Sequence, residues 1–170
     1  GKQLLKNKVK IKTVIEIGCN IGLNLRALKK VYPKSKLYGI EINKKAFKIA
    51  NRNFTCFNKS IYEFEEKNKF DLVISSGVMI HQNPEKLRDF YKIMYSLSKK
   101  YLYIDEYFNP YPIKINYRGY KNRLYKRDFA KEIWRLYPKM KLVDYGFHWA
   151  EDPNKKNSCD NSNWFLFKKY

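Results

Sequence analysis

The chain has 170 residues, of which 44% are hydrophobic and 17% aromatic, so it can form one folded domain and is too short for two full ones. This composition excludes a disordered chain. No apolar run approaches the roughly 18 residues that a membrane-spanning helix needs. We predict a single domain over residues 1–170.

The three cysteines, Cys19, Cys56 and Cys159, are odd in number and lack the paired spacing of a zinc site. This pattern argues against a disulfide framework and against a bound metal ion. It favours a reducing compartment, and we predict a cytoplasmic protein.

The formal net charge is +20, and arginine accounts for only seven of the 36 basic residues. A basic surface attracts phosphates, so an anionic macromolecular partner is one interpretation. The lysines are spread along the whole chain, whereas phosphate and base recognition usually relies on the arginine fork. The lysine-rich coding bias of an AT-rich genome is the other interpretation, and the sequence leaves both open.

Strand and helix patterns alternate along the first two thirds of the chain. A β-branched run at residues 13–17 ends at Gly18 and predicts a buried strand. Helical spacing of apolar residues follows over 22–32 and stops at Pro33. Further strands are predicted at 37–42, 54–58, 70–75 and 101–107, with helices at 44–52 and from Pro84 onward.

The last third predicts a polar loop through 117–119, a helix over 127–136, and strands at 142–149 and 164–168. Because no helical pattern separates the last two strands, they must pair antiparallel, whereas the earlier βαβ units give parallel strands. The predicted fold class is α/β, a Rossmann-like sandwich. It has a mostly parallel seven-stranded sheet with an antiparallel C-terminal hairpin.

A glycine-containing turn follows the first strand and an acid ends the second. Gly18 and Gly22 let the backbone turn tightly and lie close to a ligand, while the next helix presents its free N–H groups. Glu41 is placed to accept hydrogen bonds from both hydroxyls of a ribose. In an open α/β sheet, ligands bind at this edge, so the pattern predicts an adenosine-containing cofactor.

The details of this turn distinguish between such cofactors. A dinucleotide site requires Gly-x-Gly-x-x-Gly, but Asn20 and Leu23 occupy the second and third glycine positions. Glu16, just before the turn, would repel phosphates and suits a cationic ligand. A sulfonium compound with an amino-acid tail is such a ligand.

These segments resemble a known family. Residues 14–25 and the Tyr38-Gly39-Ile40-Glu41 tetrapeptide resemble motifs I and II of class I S-adenosylmethionine-dependent methyltransferases. More narrowly, the methylases associated with pseudaminic acid biosynthesis are similar at residues 16–26, 77–81, 106–110, 117–119 and 126–129. Such relatives usually carry further N-terminal residues that cap the cofactor. We expect that cap to be absent or trimmed here, since residue 1 is Gly rather than Met.

The resemblance implies S-adenosylmethionine as cofactor and S-adenosylhomocysteine as product. Ser60 and Ile61 would flank the adenine, and the residues after the fourth strand would lie where the sulfonium meets the acceptor. The predicted cofactor-binding residues are Glu16, Gly18, Cys19, Asn20, Gly22, Leu23, Glu41, Ile42, Ser60, Ile61, Ser76, Gly77 and Val78.

Four residues are predicted on the acceptor side. His81 lies just past the fourth strand and is a candidate general base, with a hydrogen-bonded residue of a loop or helix entry as the alternative. Asp105 and Glu106 end the fifth strand, and because strand side chains alternate, one of them should point toward the active-site mouth. With Tyr107 and Asn109 they would form a polar, aromatic wall for a polyhydroxylated acceptor. Arg118 could clamp a carboxylate or phosphate, or be a solvated loop residue. His148 is predicted to be structural.

The leading hypothesis is a methyltransferase acting on a small polar acceptor, plausibly a sugar or sugar-nucleotide intermediate, and a negatively charged sugar acid would suit the positive field. One alternative is an RNA or protein methyltransferase that docks its substrate on the basic surface. Another is a non-catalytic module that binds S-adenosylmethionine. The sequence leaves the oligomeric state open.

Overall fold

The computed structural model of the protein describes residues 2–117, 119–153 and 161–170. Arg118 and Cys159, both singled out above, lie outside these ranges. Nine strands are described: β1 (Thr13–Ile17), β2 (Lys36–Ile40), β3 (Thr55–Phe57), β4 (Phe70–Ser76), β5 (Ser98–Glu106), β6 (Ile113–Tyr117), β7 (Tyr120–Lys126), β8 (Lys141–His148) and β9 (Ser162–Lys168).

Seven of these strands form one sheet in the order β3-β2-β1-β4-β5-β9-β8. The first five are parallel to one another, and β9 runs antiparallel to both β5 and β8. This arrangement confirms the predicted mostly parallel sheet with its antiparallel C-terminal pair. Because the order reverses between β1 and β4, the carboxyl ends of these strands border the crevice where open α/β sheets bind ligands.

Five α-helices cover the sheet: α1 (Lys2–Lys6), α2 (Leu23–Val31), α3 (Lys44–Ala50), α4 (Leu87–Leu97) and α5 (Phe129–Leu136). The helix predicted from Pro84 begins with a 3-10 turn, Pro84–Lys86, and continues as α4. No helix within the described ranges is long and apolar enough to cross a membrane.

Alternation along the strands divides the core into two layers. On β1, Val14 packs with Leu25 and Leu28 of α2, and we call this side of the sheet the α2 face. Ile15 and Ile17 point the other way and pack with the buried side of α4, which we call the α4 face.

Residues 113–126 differ from the prediction. The segment predicted as a polar loop forms a two-stranded antiparallel hairpin, β6 and β7, separate from the main sheet. Helix α1 was also not predicted. Helix α1 has five residues, too few to show helical periodicity. The alternation of Ile113, Ile115 and Tyr117 along β6 is a strand signal, which the flanking Pro112 and Gly119 obscured.

Candidate active site

The loop after β1 makes a close backbone contact with the segment after β4. Gly18 and Gly22 have φ values of +66° and +82°, a left-handed conformation that glycine adopts without steric cost. A Cβ atom on Gly18 would lie 2.5 Å from Cγ2 of Val78. Gly18 is therefore required both by its backbone conformation and by the space available.

Glu41 follows β2 and ties this loop to the start of α3. Its carboxylate accepts hydrogen bonds from the backbone N–H of Asn20 at 2.8 Å and of Asn43 at 2.7 Å. Glu41 is only 8% exposed, and each carboxylate oxygen has a further lone pair. The carboxylate is thus fixed in place and can still accept hydrogen bonds from hydroxyl groups of a ligand.

An open cleft of about 90 Å³ lies between the ends of β1, β2 and β4. Ile42 is 71% exposed and offers it an apolar side chain. Lys59 and Gln82 also line the cleft; neither was predicted, because neither belongs to a recognisable motif. Six predicted cofactor-binding residues line it: Gly18, Glu41, Ile42, Ser60, Ile61 and Val78.

The other loop residues of the predicted cofactor site surround these. Asn20 is exposed and has a positive φ of 49°, and Leu23, at the start of α2, is 62% exposed. Cys19 is buried instead and lies where a Cβ on Gly39 would be. Its thiol therefore packs into the core, and only its backbone faces the loop.

Glu16 is the most deeply buried acid on the α2 face. It is 2% exposed, and its Oε1 accepts a hydrogen bond from Nδ2 of Asn24 at 2.7 Å. Its Oε2 is buried and, within the part of the chain that the structure describes, has no hydrogen-bond partner. Burial raises the pKa of Glu16 to about 8. A buried oxygen of this kind is satisfied by a proton, a donor or a cation supplied by a ligand.

The two serines at the end of β4 point to opposite faces. Ser75 is buried on the α4 face and donates to Oε1 of Glu106 at 2.9 Å. Ser76 lines a cavity on the α2 face. Gly77 follows with a φ of +65°, and its N–H donates to the carbonyl of Asp105 at 2.9 Å. Of the residues predicted after β4, Ser76 therefore faces the same side of the sheet as Glu16.

Glu106 lies elsewhere than on the predicted acceptor wall. Its carboxylate is 3% exposed and accepts from the backbone N–H groups of Val78 and Met79 at 3.1 Å and of Ile80 at 3.4 Å. Burial raises its pKa to about 7, while these hydrogen bonds act in the opposite direction. The side chain holds the segment that follows β4 in place through these hydrogen bonds. It lines none of the cavities described here.

The other residues predicted on the acceptor side lie beside the β6–β7 hairpin or outside the described residues. His81 is exposed at the end of the 3-10 turn Met79–His81, and its ring lies 5.4 Å from that of Tyr117 in β6. Tyr107 is half-buried, with Nζ of Lys126 5.3 Å from its ring centre. Arg118 lies outside the described residues. None of the cavities described here is lined by His81, Glu106 and Tyr107 together.

A second, larger cavity of about 200 Å³ opens on the α2 face. Its wall includes Ser76, Asp105 and His148, and Nε2 of His148 lies 3.3 Å from Oδ2 of Asp105. Sequence reasoning predicted His148 to be structural. Its position beside β5 depends on how β8 and β9 add to the sheet, which no local pattern of the sequence indicates. The described residues contain no group of three or more His, Cys, Asp or Glu that could hold a metal ion.

The molecule is an α/β protein with a Rossmann-like sheet. At the carboxyl ends of its strands, a glycine turn after β1 and an acid after β2 face one cleft. The sequence matches the family described as "Methyltransferase domain" over residues 14–100, about half of the chain. The chain belongs to this methyltransferase family, which confirms the predicted enzyme class. No curated protein matches the sequence.

Solved structures support the fold. Magnesium protoporphyrin IX methyltransferase from Synechocystis PCC 6803 with bound S-adenosylmethionine aligns with a TM-score of 0.71 and 16% identity, over 99% of this chain and 76% of that one. The 1,6-didemethyltoxoflavin-N1-methyltransferase of Burkholderia thailandensis, with bound S-adenosylhomocysteine, aligns with a TM-score of 0.75 and 12% identity, over 99% of this chain and 75% of that one. An O-methyltransferase of a Brevibacillus brevis multienzyme, also with S-adenosylhomocysteine, aligns with a TM-score of 0.71 and 16% identity, over 99% of this chain and 71% of that one.

These likenesses confirm the predicted Rossmann-like methyltransferase fold. The S-adenosyl compounds in all three structures agree with the predicted cofactor. The narrower resemblance to pseudaminic acid-associated methylases stays a prediction.

Proposed function

We propose that this methyltransferase uses S-adenosylmethionine to methylate a small polar acceptor in the cytoplasm, on a single domain. The observation that carries the proposal is the pair of buried carboxylates, Glu16 and Glu41, at the ends of two adjacent parallel strands. Glu41 retains acceptor capacity, and Glu16 has an oxygen without a partner among the described residues. Such groups require a ligand that donates hydrogen bonds at one end and is cationic at the other.

S-Adenosylmethionine meets both requirements. The ribose hydroxyls are donors for Glu41, and the exposed Ile42 with Ile61 supplies apolar surface for the adenine. The ammonium of the amino-acid tail is a counter-ion for Glu16, whose pKa is raised by burial. A pyrophosphate at the same place would offer Glu16 neither a donor nor a positive charge, and it would lose the close approach that a glycine at position 20 would allow.

When bound, this cofactor supplies a methyl group already activated by the positive sulfonium. The chain has only to hold the cofactor, aim an acceptor lone pair at the methyl carbon and exclude water. The glycine turn and Glu41 fix the nucleoside end, while Glu16 and Asn24 fix the tail. Because Glu16 and Ser76 share the α2 face, the reacting end is directed along that face toward the end of β4.

A sugar or sugar-nucleotide intermediate is the acceptor class that we propose. Its support is the resemblance of residues 77–81, 106–110 and 117–119 to pseudaminic acid-associated methylases. The acceptors named for the aligned enzymes include a magnesium porphyrin and a toxoflavin precursor. The fold therefore accommodates very different acceptors, and the acceptor is decided by residues particular to this chain.

Calorimetric titration with S-adenosylmethionine and S-adenosylhomocysteine tests the cofactor. We expect saturable binding of both, and a loss of about 10- to 100-fold in affinity in Glu41→Ala, corresponding to about 1–3 kcal/mol for hydrogen bonds to a charged group. Glu65→Ala, which removes an exposed carboxylate outside the cleft, is the matched control and should bind like the parent. Absence of binding by the folded parent chain would overturn the proposed cofactor.

A further inference from the structure

We infer that the 200 Å³ cavity on the α2 face binds the methyl acceptor, that it takes a neutral hydroxyl group, and that His148 receives the hydroxyl proton. This inference rests on the proposed function and assigns the second half of its site. It replaces the acceptor-side residues expected from sequence, which lie on the α4 face or outside the described residues.

The position of the cavity is the first support. Asn24 lines it and also donates to Oε1 of Glu16 at 2.7 Å, so the cavity begins beside the group proposed to hold the cofactor tail. Ser76 on β4 and Asp105 on β5 are register partners and both line the cavity. The cavity therefore extends along the α2 face from the tail of the cofactor, which is where an acceptor must lie for in-line transfer.

The arrangement of His148 is the second support. Its Nε2 lies 3.3 Å from Oδ2 of Asp105, and Oδ1 of Asp105 accepts a hydrogen bond from Oγ of Ser162 at 2.6 Å. Ser162 is the register partner of His148 between β9 and β8. Three strands thus converge on a carboxylate that orients one imidazole, the arrangement that supports a histidine base. Asp105 is a positioning residue here.

The charge of the lining gives the class of acceptor. Although the chain carries a net charge of +20, the described side chains that line this cavity include no Lys or Arg. Asp105 lies in its wall, so an anionic group inside the cavity would be repelled. Within the proposed acceptor class, this favours a neutral sugar over a sugar nucleotide or a sugar acid. Burial, with Asp105 beside it, raises the pKa of Tyr103, which keeps this phenol neutral. A neutral hydroxyl group with an apolar flank, packed against Leu4, Leu28 and Ile74, fits the wall.

The transfer balances with these residues. The acceptor oxygen forms a bond to the methyl carbon while the methyl–sulfur bond breaks, and the bonding electron pair stays on sulfur, which becomes a neutral thioether. The hydroxyl proton passes to the imidazole of His148. The Asp105 carboxylate, 3.3 Å away, stabilises the imidazolium that results.

The chain offers a matched control, since it has two histidines and they lie on opposite faces of the sheet. Methyl transfer is measured with labelled S-adenosylmethionine and a panel of methyl glycosides, inositol and simple phenols, beside gluconate and benzoates as carboxylated counterparts. We expect neutral members to be methylated. His148→Gln should lower kcat about 100-fold or more with the affinity for S-adenosylhomocysteine changed less than threefold, and this loss of kcat should exceed the loss in His81→Gln by at least tenfold.

A readout independent of turnover is the nuclear magnetic resonance signal of the two imidazoles in the chain loaded with S-adenosylhomocysteine. Addition of the accepted glycoside or phenol should shift the His148 signal and leave the His81 signal in place. Asp105→Asn should change the tautomer balance seen in the His148 nitrogen shifts, an effect that a merely structural role would not produce.

A cavity-filling variant covers the case in which His148→Gln does not fold. Ala27 lines the cavity, and Ala27→Trp should abolish methylation while S-adenosylhomocysteine still binds; Lys30→Trp, exposed on the same helix outside this lining, should retain both. The inference is overturned if His148→Gln keeps its kcat, if the ligand shifts His81 instead, or if a chain that binds S-adenosylhomocysteine methylates only the carboxylated compounds or none. Failure to bind S-adenosylhomocysteine would overturn the proposed function instead.

Discussion

The two faces of the sheet carry buried carboxylates at their carboxyl edge, and these are in opposite situations. On the α4 face, Glu106 accepts one hydroxyl and three backbone N–H hydrogen bonds. On the α2 face, Glu16 accepts one hydrogen bond, from Asn24, and its second oxygen has no partner among the described residues. Both are almost completely buried, so burial alone does not distinguish them.

This difference separates a structural acid from a binding acid. The hydrogen bonds of Glu106 satisfy the N–H groups of the turn after β4, so its removal should affect folding. The unpaired oxygen of Glu16 makes the unliganded fold less stable than it would otherwise be, and a cationic ligand removes that cost. We therefore expect changes on the α4 face to alter stability and changes on the α2 face to alter ligand binding.

The largest effect should come from Glu106→Ala. This change leaves three buried N–H groups and the hydroxyl of Ser75 without their acceptor, and we expect a loss of roughly 3–5 kcal/mol in the free energy of unfolding. Chemical denaturation measures it. Glu106→Gln retains one oxygen as acceptor and should remain within about 1 kcal/mol of the parent. A loss below 1 kcal/mol in the alanine variant would show that these N–H groups find other partners.

An effect of opposite sign is expected for Glu16→Gln. The folded pKa of Glu16, about 8, lies above the ordinary value of 4.5, so its contribution to stability is complete below pH 4.5 and is lost as pH rises through 8. Glutamine does not ionise and can still accept from Asn24. At pH 9 the variant should be more stable than the parent by up to about 5 kcal/mol, since the two pKa values differ by about 3.5 and each unit corresponds to about 1.4 kcal/mol. At pH 4.5 the two should be nearly equal.

Glu16→Gln also tests the difference between the two faces through its effect on ligand binding. Without the negative charge, the affinity for S-adenosylhomocysteine at pH 8.5 should fall by about 10-fold, or 1.4 kcal/mol. Thermal unfolding across the pH range and calorimetry measure the two effects. Equal affinity in Glu16→Gln and the parent would remove Glu16 from the proposed site and leave it as a buried acid of unknown use.

The smallest effect is expected where the hairpin meets the turn after β4. Tyr117→Leu removes the contact between the Tyr117 and His81 rings, centred 5.4 Å apart, and should cost about 1 kcal/mol of stability. Because this contact is on the α4 face, the affinity for S-adenosylhomocysteine should stay within twofold. Tyr111→Leu, at an exposed position before the hairpin, is the control. A tenfold loss of affinity in Tyr117→Leu would mean that the hairpin belongs to the cofactor site.

The sequence by itself determined the sheet and the edge at which the predicted cofactor residues lie. The alternation of β-branched strands with apolar helical spacing predicted seven strands and their directions, and the structure has them. Gly18 and Glu41 could be found because their role depends on local features, a turn directly after one strand and an acid directly after the next. In a parallel sheet, consecutive βαβ units bring such positions to one edge without further information.

Tertiary structure decided the rest. Whether Asp105 or Glu106 faces the α2 side depends on the register of β5 against β4, and alternation alone predicted only that one of them would. His148 reaches Asp105 because β9 inserts between β5 and β8, a contact between residues far apart in sequence. The hairpin of β6 and β7 forms a two-stranded sheet separate from the main one, and the short alternation of Ile113, Ile115 and Tyr117 was not enough to distinguish a strand from a loop. Local periodicity specifies elements, whereas the pairing of distant strands specifies which side chains share a cavity.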